Sequence, residues 1–316
     1  GYIKRIPMSE YQTQRRGGKG IKGLTRREDD IVKTMFTAST HDHIAFFTSK
    51  GRTFRLKGYE IPEGSRTSKG MNIVNLLPLE SGETISSMNC GRGDDYKYLC
   101  MFTRNGIIKR SAVSEYSNIR RTGVIAITLD EGDELAWVKM TKGNDDIIVA
   151  TKKGMSIRFN ENDARPIGRT ARGVKAIELG EGDEVIGVAT VEEGKSILTV
   201  SETGFGRISD FDNYRVQSRG GKGLINYHTE KNGDVAAVTS VSDDNDIILI
   251  ASDGIIIRIP ADGISKFARP SKGVRVMRVT EGEKIVTLTP VEKAEEEETA
   301  AEESAESTET SEQTEE

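Results

Sequence analysis

The chain has few of the residues that build disulfide frameworks, metal quartets or membrane spans. Its 316 residues include two cysteines, Cys90 and Cys100, which are too few for a disulfide framework or a four-cysteine zinc site. No apolar run approaches the roughly 20 residues that cross a bilayer, and no charged-then-apolar leader precedes Gly1. These absences predict a reducing, cytoplasmic location and no association with a membrane.

Catalytic motifs are also missing. The sequence contains no G-x-x-x-x-G-K-[ST], no H-E-x-x-H and no nucleophile elbow. His41-Asp42-His43 could place two imidazoles on one face of a strand. However, it occupies the position that Asp145-Asp146 fills in another part of the chain, just before a hairpin. We therefore expect no catalytic residue, no metal site and no cofactor on this chain.

The charge is divided between two segments of opposite sign. The formal net charge is -5, yet residues 292–316 carry twelve Glu and one Lys, so residues 1–291 carry a net charge of +6. Residues 292–316 contain no aromatic residue and no Val, Ile or Leu. Such a segment cannot bury enough surface to offset its ordering entropy, and we predict a disordered acidic tail behind a basic domain of residues 1–291.

A basic motif recurs along the chain at an almost constant interval. In each full copy a leading arginine stands four residues before a glycine, and a trailing cation, Lys or Arg, stands immediately before it. The glycines are separated by steps of 50, 53, 50, 50 and 50 residues, and this period predicts a repeat architecture. The glycines and their cations are Gly20 with Arg16 and Lys19, Gly70 with Arg66 and Lys69, Gly123 (a weaker copy) with Arg120 and Arg121, Gly173 with Arg169 and Arg172, Gly223 with Arg219 and Lys222, and Gly273 with Arg269 and Lys272.

Each repeat also contains a hairpin signal and an acidic turn. Short runs of β-branched and aromatic residues are broken by a turn glycine, as at Asn105-Gly106 and Asp253-Gly254. An acid-glycine-acid turn, such as the one around Gly132, precedes a further aliphatic strand. Four short strands per repeat of about 50 residues predict an all-β, six-bladed propeller. An open solenoid is the alternative, and it would leave two long aliphatic edges unpaired.

The two ends of the repeat array carry unmatched strands. Gly1-Tyr2-Ile3 matches a strand that follows a hairpin glycine, but its first arm is missing, which suggests a piece of a longer chain. Residues 285–289 form a strand with no hairpin behind it. We predict that these two strands pair with each other and close the ring.

The basic loops have the chemistry of a phosphate-binding surface. Glycines let successive backbone N–H groups converge on an anion, and Arg and Lys supply donors that match phosphate oxygens. One such loop alone would be an ordinary solvated turn, whereas six in register around a ring predict a basic belt that binds double-stranded DNA. No base-reading helix or aromatic stacking set accompanies them, so we expect binding that depends on salt and bendability rather than on sequence.

A second set of arginines lies near the hairpin glycines, four residues after them in all repeats but one. We predict that they are secondary DNA contacts, and the alternative is that they are ordinary outward-facing strand charges. They are Arg5, Arg55, Arg110, Arg158, Arg207 and Arg258.

The first copy of the basic motif is the most distinctive stretch of the chain. It reads Gln14, Arg15, Arg16, Gly17, Gly18, Lys19, Gly20, and the copy ending at Gly223 departs from it only at Ser218. This seven-residue box, at the head of six repeats, resembles the C-terminal domain family of bacterial DNA gyrase A. The resemblance implies a β-pinwheel, a propeller whose neighbouring blades exchange strands, and it implies that all seven box residues contact DNA.

The resemblance also implies a function and partners. Members of the family bind, bend and wrap double-stranded DNA, and joined to the catalytic core (the N-terminal region of gyrase A together with gyrase B) they allow ATP-driven negative supercoiling. ATP and Mg²⁺ are used elsewhere in the whole enzyme, so this chain would be a monomeric, non-catalytic, nucleoid-associated fragment of a type IIA topoisomerase. Two alternatives remain: the paralogous C-terminal domain of topoisomerase IV, whose box is degenerate, and a propeller that serves as a protein-interaction platform.

Overall fold

The computed structural model describes residues 1–7, 21–22, 38–65, 68–90, 95–192 and 195–293, and strands make up nearly all of its regular structure. One short α-helix, α1 (Thr229–Asn232), and several 3₁₀ turns occur in these residues. The strands are β1 (Tyr2–Ile3), β2 (Ile21–Lys22), β3 (His43–Thr48), β4 (Arg52–Lys57), β5 (Met71–Asn72), β6 (Ile85–Cys90), β7 (Tyr98–Thr103), β8 (Ile107–Ala112), β9 (Val124–Ile125), β10 (Leu135–Thr141), β11 (Asp146–Thr151), β12 (Met155–Asn160), β13 (Val174–Lys175), β14 (Val185–Thr190), β15 (Ser196–Ser201), β16 (Phe205–Ser209), β17 (Leu224–Ile225), β18 (Val235–Val241), β19 (Asn245–Ala251), β20 (Ile255–Pro260), β21 (Val274–Arg275) and β22 (Ile285–Glu292).

These strands form antiparallel sheets of four, each of which is one blade of an all-β propeller. The strand orders are β6-β3-β4-β9, β10-β7-β8-β13, β14-β11-β12-β17, β18-β15-β16-β21 and β22-β19-β20-β2. A further two-stranded sheet pairs β1 with β5. The described residues therefore contain five complete blades and a fragment of another, where the sequence predicts six. The rest of the first repeat lies outside the described residues, as do residues 294–316 of the predicted acidic tail.

The two central strands of each blade are the hairpins that the apolar runs predict. Residues 147–150 of β11 are all fully buried, because neighbouring blades cover both faces of a central strand. This two-sided burial explains why the runs are continuously apolar rather than alternating. The turn between the arms requires a glycine, and Gly106 and Gly254 adopt φ angles of 81° and 81° there.

The outermost strand of each blade belongs to the next repeat along the chain. β13 follows the Gly173 loop but pairs with β8 of the preceding repeat, with Val174 opposite Ile108. β17 pairs with β12 and β21 pairs with β16 in the same manner. Neighbouring repeats therefore exchange strands, and each basic loop is held between two blades.

The same exchange closes the ring. β2 pairs with β20 of the last blade, with Ile21 opposite Ile256. β22 instead pairs with β19 of its own repeat, while β1 pairs with β5. The prediction that residues 285–289 lie beside the strand after Gly1 is therefore wrong. The strand after each acidic turn pairs with the first hairpin arm of its own repeat, and β22 follows this rule.

The exchanged strands place the basic loops on the outside of the ring. The strands that follow the acidic turns pack against one another in succession, since β10 contacts β6 and β14, and β18 contacts β14 and β22. They line the middle of the propeller. The exchanged strands form the opposite edge of each sheet. The loops that lead into them therefore run along the outer rim.

Candidate nucleic-acid interface

The trailing cations are the most exposed charges of the basic loops. Lys69, Arg172, Lys222 and Lys272 are all exposed, each one residue before the glycine that leads into an exchanged strand. Arg120 and Arg121 of the weaker copy are also exposed. The seven box residues, 14–20, and Arg66 lie outside the described residues. The described trailing cations thus form a row of charges along the rim.

Side chains of the preceding repeat support these cations. The Lys69 Nζ atom lies 4.0 Å from the centroid of the Tyr2 ring, and the Lys272 Nζ atom lies 3.7 Å from that of Phe205. Tyr2 is the first residue of β1 and Phe205 is the first residue of β16. A cation over a ring face is attracted by the ring quadrupole. Arg172 is instead paired with Asp130 of an acidic turn. The ammonium groups are therefore held over the rim rather than left to sample it freely.

The leading arginines have a different environment. Arg169, Arg219 and Arg269 are partly buried, and each donates a guanidinium N–H to a main-chain carbonyl of the preceding repeat. A hydrogen bond from a charged guanidinium to a carbonyl oxygen is charge-assisted, and it is stronger than a hydrogen bond between neutral groups. These side chains lie in the loops where the sequence predicts them, but part of their donor capacity is used inside the protein.

In the loops that the structure describes, the glycine passes very close to the neighbouring blade. A Cβ atom at Gly223 would lie 2.2 Å from the carbonyl oxygen of Ser156, and one at Gly273 would lie 2.1 Å from that of Gly206. The N–H of Gly273 is donated to Ser271 Oγ, and that of Gly220 to the Ala176 carbonyl. The predicted role of these glycines as an anion-binding nest therefore does not hold at Gly220 and Gly273, whose N–H groups have internal acceptors. Glycine is needed because the loop and β-strand backbones touch.

Replacing Gly223 by alanine is expected to destabilise the fold by roughly 3 kcal/mol or more, since left-handed strain and a backbone clash add. Gly223 has a φ of 77°, and the clashing Ser156 oxygen belongs to β12. Gly182→Ala is the matched control, because Gly182 has a φ of 66° and no atom within 4 Å of its Cβ position. The control should cost only about 1–2 kcal/mol. Urea unfolding measures both, and equal losses would show that the close approach is unimportant.

Three of the secondary arginines are buried. Arg110, Arg207 and Arg258 are 3%, 0% and 3% exposed. A side chain enclosed in this way cannot reach a phosphate, so the prediction that these three contact DNA is wrong. Alternation along a strand suggests an outward charge, but the neighbouring blade covers that face. Arg110 pairs with Glu161 at 2.9 Å, and Arg258 with Asp246 at 2.7 Å.

The remaining secondary arginines are less enclosed. Arg158 is partly buried and donates to the carbonyls of Phe211 and Tyr214 in the next repeat, at 2.9 and 3.2 Å. Arg5 likewise donates to the Ile61 carbonyl, at 2.9 Å. These arginines connect a hairpin to the 3₁₀ turn of the following blade. Arg55 is exposed and stays a candidate DNA contact.

Two buried cations lie beneath the loops. Lys109 Nζ donates to the carbonyls of Ala126, at 2.5 Å, and of Arg169, and burial lowers the pKa of Lys109 to about 8. Arg207, at the equivalent position of another blade, donates to the carbonyls of Asn226 and Ser271. Each cation therefore holds two successive loops from below. Lys109 has no signal in the sequence that marks it as buried, because a lysine on a strand is usually solvated.

Sequence reasoning also missed exposed cations at the start of the loops. Arg165 and Arg215 are both exposed and stand eight residues before Gly173 and Gly223. The same 50-residue comparison that found the trailing cations, extended eight residues upstream, would have found these two. They widen the positively charged face of the rim.

His41 and Asp42 lie in a turn that leads into β3, whose first residue is His43. The Asp42 carboxylate accepts the Ser39 N–H at 2.8 Å, and both histidines are exposed. Within the described ranges, no three His, Cys, Asp or Glu side chains cluster as metal ligands would. The same residues include no helix with the length and apolar character required to traverse a bilayer.

Strand-exchanged blades and a rim of exposed cations define a β-propeller with a basic outer edge. The chain belongs to the family described as DNA gyrase C-terminal domain, beta-propeller, which matches residues 1–39, 42–90, 97–142, 145–192, 195–242 and 245–292. These six matched segments follow the six sequence repeats. The family resemblance indicated by the box is thereby confirmed.

Similar proteins are gyrase A polypeptides. The chain is 53% identical over 299 residues to DNA gyrase A of Halalkalibacterium halodurans, covering 94% of this chain and 36% of that protein. It is 43% identical over 303 residues to DNA gyrase A of Staphylococcus aureus, covering 94% and 34%. The chain thus spans about a third of the length of these relatives.

Solved structures agree on the fold. A gyrase A C-terminal domain superposes with a TM-score of 0.82 at 27% identity, covering 92% of this chain and 96% of that one. A topoisomerase IV C-terminal domain superposes with a TM-score of 0.72 at 22% identity, covering 92% and 90%, which shows a shared fold alone.

Proposed function

We propose that this chain binds, bends and wraps double-stranded DNA around its basic belt with little base specificity. The observation that carries the proposal is the row of exposed trailing cations, Lys69, Arg172, Lys222 and Lys272, on the outer rim of a closed ring. DNA is a ligand whose charges also repeat along a curved path, and cations that neutralise phosphates supply sequence-independent affinity. The six family segments favour a six-bladed pinwheel as the complete form of the ring.

Wrapping requires several loops to act together. Bending a site of 20–30 base pairs by 40–90° costs roughly 1–6 kcal/mol, so a turn around a propeller costs on the order of 10 kcal/mol. No single loop supplies that energy. Cations spaced at equal steps along the rim supply it cumulatively, and a bent duplex reaches more of them than a straight one.

In the whole enzyme the wrap would serve strand passage. Joined to the N-terminal region of gyrase A and to gyrase B, the wrapped DNA presents a second segment with a fixed crossing sign, and ATP-driven passage then introduces negative supercoils. The catalytic tyrosine, the ATPase site and the bound ATP and Mg²⁺ belong to that core. By itself the chain acts as a monomeric, non-catalytic DNA-binding domain in the cytoplasm, at the nucleoid.

The topoisomerase IV alternative is less well supported. The topoisomerase IV domain has the same fold, but its sequence is 22% identical to that of this chain. A gyrase A relative is 53% identical over nearly the whole chain. The intact box also favours gyrase. A protein-interaction platform is the other alternative, and the salt dependence of DNA binding distinguishes it. We do not expect the DNA affinity of such a platform to rise steeply as the salt concentration falls.

We expect the chain to bind linear duplex DNA with an affinity that falls steeply as salt rises, by about 10³–10⁵-fold between 50 and 200 mM if six to ten phosphates are contacted. Gel-shift titrations over a salt series measure this. Relaxing closed circular DNA around the chain with a separate topoisomerase then measures wrapping as a trapped linking difference of one sign. Binding that ignores salt, or a linking difference of zero, would contradict the proposal.

A further inference from the structure

The leading arginine of the Gly223 loop bridges two segments of the preceding repeat. Arg219 donates Nε–H to the Asp163 carbonyl at 2.9 Å and an Nη1–H to the Lys175 carbonyl at 2.9 Å. Asp163 ends the 3₁₀ turn Glu161–Asp163, and Lys175 is the second residue of the exchanged strand β13. The planar guanidinium therefore ties its own loop to the strand that follows the loop before it.

Arg269 repeats this geometry, and Arg169 repeats its contact with the exchanged strand. Arg269 donates Nε–H to the Asn213 carbonyl at 2.8 Å and an Nη1–H to the Ile225 carbonyl. Asn213 ends a 3₁₀ turn, and Ile225 is the second residue of the exchanged strand β17. Arg169 donates an Nη1–H to Ile125, the corresponding residue of β9, at 3.0 Å. The contact thus recurs at three successive loops, at the same position of each exchanged strand.

We propose that Arg169, Arg219 and Arg269 are positioning residues that fix the spacing of neighbouring loops, whereas the trailing cations contact phosphate. The proposal rests on the DNA binding proposed above and divides the basic belt into two classes of cation. A planar fork is suited to hold two carbonyl oxygens at once, and an ammonium on a flexible stem is not. The trailing Lys222 and Lys272 point charges are exposed, as a phosphate contact requires.

The weaker loop supports this division. Four residues before Gly123, where the other loops have the leading arginine, the chain has Ile119. Ile119 is partly buried and packs against the apolar cluster that includes Tyr116 and Ile127. A position that anchors the loop tolerates either a guanidinium bound to carbonyls or an apolar side chain in the core. A position that contacts phosphate does not tolerate isoleucine.

The consequence for DNA is mechanical. With each loop tied to the previous one, the trailing cations keep fixed distances along the rim, and the curved path they define is built before DNA arrives. A loosened loop still attracts phosphate, because its trailing cation remains. It no longer holds the duplex against the restoring force of the bend. The extent of DNA bending therefore falls more than the number of ionic contacts does.

The test compares Arg219→Ala and Arg219→Lys with Lys222→Ala in the full chain. The probe is a linear mixed-sequence duplex with donor and acceptor dyes at its two ends. We measure the slope of log affinity against log salt, and the end-to-end energy transfer at saturating protein. Thermal unfolding confirms that each variant is folded. Arg169→Ala and Arg172→Ala give the same comparison in a second loop, which Lys109 also holds from below.

We expect the salt slope of Lys222→Ala to fall by about 0.9, the value for one lost phosphate contact. Both Arg219 variants should keep the wild-type slope to within about 0.3 yet lose about half or more of the energy transfer. Without DNA, amide hydrogen exchange in residues 174–177 should quicken in the Arg219 variants and stay unchanged in Lys222→Ala. This last readout does not depend on DNA binding.

The proposal is overturned if Arg219→Ala lowers the slope as much as Lys222→Ala does while Arg219→Lys restores both slope and energy transfer. Charge alone, not the carbonyl bridge, would then explain the position. Unchanged hydrogen exchange in the Arg219 variants would also overturn it. If the wild-type chain itself shows no salt-dependent DNA binding, the proposed function fails, whatever the exchange data show about the bridge.

Discussion

Replacing Lys69, Arg172, Lys222 and Lys272 together by alanine is expected to lower DNA affinity on the order of 1,000-fold at 0.1 M salt. Each phosphate contact adds roughly 0.9 to the salt slope, so four lost contacts should reduce the slope by about 3–4. These four cations are exposed and lie at the rim glycines, where a wrapped duplex would pass. Gel-shift or anisotropy titrations over a salt series measure both quantities.

The matched control removes four cations from another part of the same ring. Lys50, Lys152, Lys153 and Lys284 lie at hairpin turns or acidic turns, and each has a carboxylate partner at 3.1–3.5 Å. Their replacement by alanine changes the net charge by the same amount. We expect an affinity loss of less than about tenfold, since none of them belongs to a basic loop. Equal losses in both variants would show that binding depends on net charge and not on a belt of basic loops.

The substitution Asp246→Asn is expected to destabilise the fold by about 3–5 kcal/mol, because it removes the carboxylate charge that lies beside a buried guanidinium. Asp246 and Arg258 are 3% and 2% exposed at their side chains, and the carboxylate accepts from Nε at 2.7 Å. Asparagine has nearly the same shape, so the loss reports the charge rather than a cavity. Urea unfolding at neutral pH measures it.

Asp146→Asn is the matched control for this prediction. Asp146 pairs with Arg158 at the same position of another blade, with a distance of 2.9 Å, but the two side chains are 18% and 15% exposed. Solvent screens the remaining charge, so we expect a loss of only about 1–2 kcal/mol. A loss as large as that of Asp246→Asn would show that burial does not set the cost.

The fold could be predicted in its local parts. Apolar runs and turn glycines such as Gly106 and Gly254 act over a few residues, and the hairpins they predict are present. The pairing of strands was harder to predict, because every repeat contains the same kinds of strand and pairing joins segments about 50 residues apart. Residues 285–289 consequently received the wrong partner, and the exchange that places β13 beside β8 has no signature in the spacing.

The candidate site, like the fold, could be predicted from the sequence only in part. The period located the trailing cations, and Lys222 and Lys272 are exposed where a belt requires it. The period could not show that Arg207 and Arg258 are enclosed, because their burial comes from the adjacent blade and not from their own strand. Nor could it show that Arg219 is bound to carbonyls while Lys222 is exposed, because those environments depend on the preceding repeat.

The sequence by itself determined the repeat, the four strands of each unit, the turns between them and the positions of the basic loops. All of these depend on residues close together in the chain. Only the tertiary structure decided which repeat completes each blade, how β2 closes the ring on β20, and which arginines face solvent. Those features depend on surfaces that neighbouring repeats create together, and a carbonyl such as that of Lys175 becomes an arginine acceptor only when the blades pack.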